Sequence, residues 1–456
     1  MYKKILIASL ALIAGLASCK KDDPTPSPNP PSALTIDGVA SNLEFYQLDT
    51  AHLSVAGVAK DAAAKAVWAV NGAKAAEGAT FDFTTAHPGK YEVTLTVDGK
   101  SAKHTYTVAP RFSEGTFLLN EGNFGNETGS LTYIHPSKKL VIDQAYYRIN
   151  GTKLGNVCQD LAFGNDQIYI LSQLGPKNGG EGLLTIARSN SLEKVKVYND
   201  EALAQSTPTH IAVLRDHIYI RTERDGILRG SSEGGFTPIT GTKKALKQRM
   251  AQIGERLFAL TSDSKVLMIQ GTQVVRELDL SPAKPSGIAV SHDGKLWVST
   301  TSPNAILKVD PTPDNFVALD THILDKSISA TGPQSWERTT SSAFFAHGDK
   351  LYFTGQSSVI YCHDFATSKT SQVIDVKTID GVGTSANKYY NSLGVDPATG
   401  ELYYAAFEDY GTYNKKNVTM VLKADGTKLL LKEQVNSFPA GFFFIPNAAS
   451  RTGANR

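Results

Sequence analysis

"GIAVSHDGKLWVSTTSPNAILKVD", from Gly287 to Asp310, holds three short apolar runs separated by a turn and a polar bend. Apolar residues alternating with Ser, Thr and Lys mark half-buried strands, and "SHDG" carries the Asp-Gly chemistry of a tight hairpin. The phrase returns as "DLAFGNDQIYILSQ" from Asp160, "HIAVLRDHIYIRTERDGI" from His210 and "MAQIGERLFALTSDSKVLMI" from Met250. It returns again as "SAFFAHGDKLYFTGQSSVIYCHD" from Ser342 and "LGVDPATGELYYAAFED" from Leu393. Repetition every roughly 40 to 55 residues, with no 3.6-residue periodicity, predicts a β-propeller with four strands per blade.

Six inner strands start near 160, 210, 250, 287, 342 and 393, and "PAGFFFIP" (Pro439–Pro446) is a seventh with no apolar runs after it. At the other end "GTFLLNEGN", "GSLTYIHP" and "KLVIDQAYY", between Gly115 and Tyr147, are three strands without an inner one. Joining the two ends removes two exposed sheet edges. The expected fold is therefore all-β: a seven-bladed propeller over 112–446, closed by pairing of N- and C-terminal strands, with 447–456 a disordered tail. Trp297 is expected to pack between blades.

Ahead of the repeats, 34–109 holds "AHLSVAGV", "KAVWAVNG", "ATFDFTT", "GKYEVTLTVDG" and "KHTYTVA", short runs rich in Val, Thr, Tyr and Phe. They predict a β-sandwich with Trp68 and Tyr91 in its core. Trp68 and "HPGKYEVTLTV" (His87–Val97) resemble the Ig-like PKD family, which implies a spacer domain.

Lys3 and Lys4, the apolar "ILIASLALIAGLA" and small residues before Cys19 predict a secretory signal over 1–18. "LASC" (Leu16–Cys19) resembles the lipobox of bacterial lipoproteins, which implies cleavage before Cys19 and its lipidation. Asp22 and Asp23 resemble the surface-export signal of Bacteroidota lipoproteins. That implies an outer-membrane protein facing the cell exterior, touching the membrane through its lipid alone. The Pro-rich "PTPSPNPPS" makes 19–33 a semi-rigid tether.

Lys and Arg total 46 against 44 Asp and Glu, a net charge of +2, so no sequence-wide field points to nucleic acid. Of three cysteines, Cys158 and Cys362 sit in apolar runs and are expected to be buried and unbridged. No Cys/His cluster has metal-ligand spacing, and no acid/base or nucleophile motif is present, so neither metal nor catalytic residues are expected. "KNGGEG" precedes a strand, not a helix, and is a poor phosphate cradle.

"SGIAVSHDGKLWVST" is similar to the inner hairpin of YncE-like and NHL-type seven-bladed propellers. "FLLNEGNFGNETGSLTYIHP", together with the lipobox and the sandwich, resembles a family of Bacteroidota surface propeller lipoproteins (BtuG-like). The resemblance implies capture of vitamin B12, a corrinoid, over a TonB-dependent outer-membrane transporter, with no cofactor beyond the bound ligand.

Loops between second and third strands, and between one blade and the next, emerge on one face. They include 123–129, 150–156, 173–182, 222–226, 328–340, 381–391 and 407–417. Aromatics there have no core duty and suit ligand stacking, while amides and cations supply hydrogen bonds. The candidate ligand-binding residues are Asn123, Phe124, Asn126, Lys177, Arg224, Trp336, Arg338, Tyr389, Tyr390, Asn391, Tyr410 and Tyr413. The leading expectation is a surface binding protein. The alternatives are a protein- or glycan-binding adhesion module and a propeller lyase or quinoprotein-like oxidoreductase.

Overall fold

The computed structural model describes residues 33–39, 44–328, 344–355, 357–388 and 393–446. Cys19, most of the tether and the 447–456 tail lie outside the described residues. The chain divides into two compact units, the first holding 33–39, 50–83 and 90–106 of the described residues, the second 44–49, 84–89 and those from 107 onward.

The first unit is all-β. Thr35–Asp37, Thr50–Ala56 and Thr80–Thr84 form one sheet, and Lys100–Ala109, Gly89–Val97, Val67–Val70 and Ala73–Glu77 pair in that order in another. Trp68 is fully buried and donates its indole N–H to the Gly78 carbonyl at 2.9 Å. Its ring meets Phe81 of the other sheet at 5.6 Å, and Phe83 packs on Tyr106 at 4.7 Å and on Tyr91 at 5.8 Å. Trp68 is thus core, and Tyr91 lies half-buried against Phe83.

In the second unit, seven antiparallel four-stranded sheets follow one another among the described residues. Their innermost strands are Asn156–Gly164, Pro208–Leu214, Ala251–Ile253, Lys284–Val290, Phe344–His347, Leu393–Val395 and Pro439–Phe444. The quoted phrase is the inner part of the fourth sheet: Lys284–Val290 pairs with Leu296–Thr301, which pairs with Ala305–Val309. Trp297 is fully buried and meets Phe365, in the turn after Val359–Asp364 of the fifth sheet, at 4.8 Å, so it packs between neighbouring sheets as expected.

The seventh sheet joins the two ends of the unit. Pro439–Phe444 pairs with Thr116–Asn120, which pairs with Ser130–His135, which pairs with Leu140–Ile142. The run "KLVIDQAYY" departs from expectation: its strand stops at Ile142, and Ala145–Asn150 is a helix. Gln144 turns the chain in the left-handed region at φ 52°, its N–H held by the Asp143 carboxylate at 2.8 Å. Asn and Asp form such turns readily, whereas a sequence pattern of apolar residues gives no sign of them.

Buried amides splice the closing sheet to its neighbour. Asn120 Oδ1 accepts from the Ser437 N–H at 3.0 Å, and Asn417 Oδ1 accepts from Val435 N–H at 3.1 Å and Asn436 N–H at 3.3 Å. Thr132 donates its hydroxyl to the Val435 carbonyl at 2.6 Å. The segment entering the last strand therefore has its backbone groups satisfied by side chains of both sheets.

Residues from all seven innermost strands line a shared central cavity of about 440 Å³. Arg249, just before the third inner strand, reaches across it. Its Nε donates to Asp160 Oδ1 at 3.0 Å, and Nη1 and Nη2 donate to the carbonyls of Phe442 and Ala440 at 3.4 and 3.3 Å. The guanidinium lies 3.9 Å from the centre of the Phe443 ring. Gly441, at φ 136°, leaves room for it, because a Cβ there would overlap the guanidinium. The free cysteines Cys158 and Cys362 are both buried.

Burial pushes the Asp160 carboxyl up to about 6 despite the adjacent guanidinium and the Ile211 N–H that it accepts at 3.0 Å. A carboxyl whose folded pKa lies above its unfolded value of 3.8 contributes stability at low pH and loses it as pH rises through the folded value. Arg249→Met removes the counter-charge and raises that folded value further. The variant is expected to lose about 3–5 kcal/mol near neutral pH, since it leaves a buried charge unpaired. The loss relative to wild type should shrink at pH 5, as read from denaturant unfolding at the two pH values; an equal loss at both would contradict the pairing.

Candidate functional site

The loop face of the closing sheet carries a polar cleft of about 460 Å³. Six segments build it: the loop after Thr116–Asn120, the turn and helix after Leu140–Ile142, Lys153 and Leu154 beyond that helix, the loop around Asn178, Asn414, and the entry to the last strand. Amides dominate its wall, with Asn120, Asn126, Gln144, Asn178, Gln434 and Asn436 all lining it. Gln144, Asn178 and Gln434 each adopt a positive φ, of 52°, 59° and 57°. Non-glycine residues rarely take that region, and when they do they cluster at sites of function.

Two buried amides set the cleft's chemistry. Asn436 is 6% exposed; its Nδ2 donates to the Val418 carbonyl at 3.0 Å and to Thr419 Oγ1 at 3.1 Å, while its Oδ1 has no partner among the described residues. An orphaned buried acceptor is costly in a closed core and useful at a wall that meets a donor. Asn120, 1% exposed, donates to Ser130 Oγ at 3.2 Å. Asp143 lines the cleft as well, and burial raises its pKa although Gln144 N–H donates to it and the Thr132 hydroxyl lies 3.2 Å away. Tyr146, buried, donates to Glu181 Oε2 at 2.8 Å and so fixes the helix that carries Tyr147, which is 47% exposed at the cleft.

Of the sequence-predicted residues, Asn126 lines the cleft. Asn123 belongs to the same loop and turns it, its Oδ1 accepting the Gly125 N–H at 3.2 Å. Phe124 is 62% exposed, with the Lys177 ammonium 5.0 Å from its ring centre, so these two join across neighbouring sheets near the cleft. Arg224 is exposed on the second sheet's loop and does not line it. Trp336, Arg338, Tyr389, Tyr390 and Asn391 lie outside the described residues.

Tyr413 and Tyr410 depart from the expectation of free loop aromatics. Tyr413 is 9% exposed and packs on Phe438 at 4.4 Å, while half-buried Tyr410 meets Phe407 at 5.5 Å and Phe438 at 6.0 Å. The physical reason is Phe438: at φ 55° it turns its ring into this group and gives the loop a small core of its own. His210, His322 and His363 are structural in setting. His210 is fully buried, its Nδ1 3.1 Å from Thr209 Oγ1, and His363 Nε2 meets His322 Nδ1 at 2.9 Å. Among the described residues no group of His, Cys, Asp or Glu has the makings of a metal site.

Sequence reasoning missed Asn120, Asp143, Gln144, Tyr147, Gln434 and Asn436. Two signals were available: the loop rule applied to "EQVNSF" ahead of the last strand, and the polar "DQ" that interrupts "KLVIDQAYY". Tyr413→Ala is expected to cost about 3–5 kcal/mol in thermal or denaturant unfolding, as for removal of a buried aromatic. Phe124→Ala should stay within about 0.5 kcal/mol of wild type, as for a surface change. Equal losses would contradict this division between core and surface.

Comparison with solved structures finds a quinonprotein alcohol dehydrogenase-like protein from Bacteroides thetaiotaomicron, 16% identical, with a TM-score of 0.57, covering 90% of this chain and 98% of that one. A protein from Lactobacillus plantarum is 13% identical over 73% of this chain and 99% of that one, with a TM-score of 0.47. BamB from Moraxella catarrhalis is 11% identical over 60% and 76%, with a TM-score of 0.36. At such identity the first likeness speaks to fold alone, and with the sheets above it makes the second unit a β-propeller. No curated protein matches the chain. Residues 114–445, well over half the chain and nearly the whole propeller, match the family described as "Domain of unknown function (DUF5074)", and the chain belongs to that family.

Proposed function

We propose that the protein is a surface-anchored binding lipoprotein whose propeller captures a ligand on its loop face without turning it over. In this reading Cys19 carries the lipid, the Pro-rich tether and an Ig-like spacer hold the propeller away from the outer membrane, and the seven sheets are the blades of one ring. The ligand is a corrinoid, passed to a TonB-dependent transporter. The observation that carries the binding role is the amide-lined cleft, with the orphaned Asn436 Oδ1 and the exposed Phe124 and Tyr147 beside it. Aromatic anchors around a polar, partly desolvated pocket are the composition of binding hot spots.

The corrinoid reading rests on the sequence resemblance, and the cleft's chemistry suits it. Amide side chains of such a ligand both donate and accept, matching Asn and Gln groups that do the same. A cleft of about 460 Å³ takes one rim of so large a molecule, leaving further contact to the exposed surface around it. A protein partner has its own support: Leu319 and Ile323, 55% and 65% exposed, lie on the outer strand of the fourth sheet, and Val317, 42% exposed, just before it. Exposed apolar residues on a sheet edge favour pairing with another chain.

Calorimetric titration of the lipid-free protein with cyanocobalamin is expected to show saturable heat at micromolar ligand. Tyr147→Ala and Asn126→Ala should weaken binding by about 1–3 kcal/mol if either is a hot spot. No heat and no change in melting temperature would remove the corrinoid. Binding unchanged in both variants would move the site away from this cleft.

A further inference from the structure

The central cavity is distinct from the loop-face cleft and has no part in the function above. Its volume, about 440 Å³, falls in the range of small-molecule sites. Half-buried apolar side chains dominate its wall: Phe163, Ile288, Val290, Phe345 and Phe444 all line it. From Asp160 and Arg249 the lining runs along the inner strands toward the hairpin turns that follow them, the side away from the loop cleft.

Among the described residues the polar side chains of the wall are Asp160, Gln248, Arg249 and Gln252. Asp160 and Arg249 neutralise each other at 3.0 Å, so an anion would meet the carboxylate and a cation the guanidinium. Gln248 donates its Nε2 to the Ser286 carbonyl at 2.5 Å, and its Oε1 is buried with no partner among the described residues. A water needs two to four polar partners to be well held, and most of this wall offers none. Displacing such water with an apolar body is favourable, whereas leaving a buried acceptor unpaired is not.

We propose that the central cavity is a second binding site, for an uncharged, largely apolar molecule bearing one hydroxyl or N–H group that donates to Gln248. The apolar body fills the space between Phe163, Ile288 and Phe345, and the donor satisfies Oε1. The ligand enters from the hairpin-turn side, because Arg249 spans the cavity at its other end.

The test is a fluorescence titration of the lipid-free full chain with 2-naphthol, whose two fused rings and single hydroxyl match this chemistry. Saturable one-to-one binding is expected, weakened at least tenfold by Val290→Trp, which fills the cavity, and unchanged by Asn126→Ala in the cleft. Ala162→Phe serves as a second filling variant, with melting curves to show that each is folded. Gln248→Met should weaken 2-naphthol about tenfold and leave naphthalene unchanged. Absence of saturable binding, or unaltered affinity in a folded filling variant, would overturn the site. Equal effects of Gln248→Met on both probes would overturn the role of Gln248.

Discussion

The ladder between Pro439–Phe444 and Thr116–Asn120 is the contact on which the rest of the propeller depends. It joins residues more than three hundred positions apart, Ser437 N–H to Asn120 Oδ1 spanning 317. Loop-closure entropy grows only logarithmically, so a loop of that length costs about 5 kcal/mol to close. Burying Phe117, Leu119, Ala440 and Phe443 offsets it, since a large apolar side chain contributes about 1.5–3 kcal/mol. The buried Asn120, Asn417 and Asn436 then give direction to a closure that apolar packing alone would leave loosely specified. Arg249 adds a tie from the third sheet to the first and last.

The same closure builds the candidate site. Its walls come from both ends of the propeller: Asn126, Asp143 and Tyr147 from the start, Gln434 and Asn436 from the finish. Neither end holds the cleft alone, and Asn120 and Asn436, two of the amides that splice the sheets, also face it. Stability and the proposed binding therefore share residues at this point, as expected where strained, left-handed residues are held by surrounding structure. The central cavity differs in kind, being apolar and crossed by one neutralised ion pair.

Much of the fold was legible in the sequence because strands and hairpins announce themselves locally. The period-two pattern and the turn after Val290 located the fourth sheet, and "PAGFFFIP" lacked partners that "GTFLLNEGN" could supply. The candidate site was less legible because its residues become neighbours only through closure. Asn126 was found from its loop, whereas Asn436 lies in a stretch without repeat character and Asp143 in a run that looked like strand. Tyr413 misled for the converse reason: a loop aromatic looks free until Phe438, distant in sequence, is placed against it. Arg249 was invisible, since nothing local distinguishes a strut from a surface arginine.

Native-state hydrogen exchange on the lipid-free protein tests the central claim most directly. If the closing sheet holds the ring, the amides of Leu118, Leu119, Phe442 and Phe443 should exchange only with the global unfolding of the propeller, together with those of Val298 and Leu307 in the fourth sheet. Exchange of the closing-sheet amides at a markedly lower free energy, with the other sheets still protected, would contradict it.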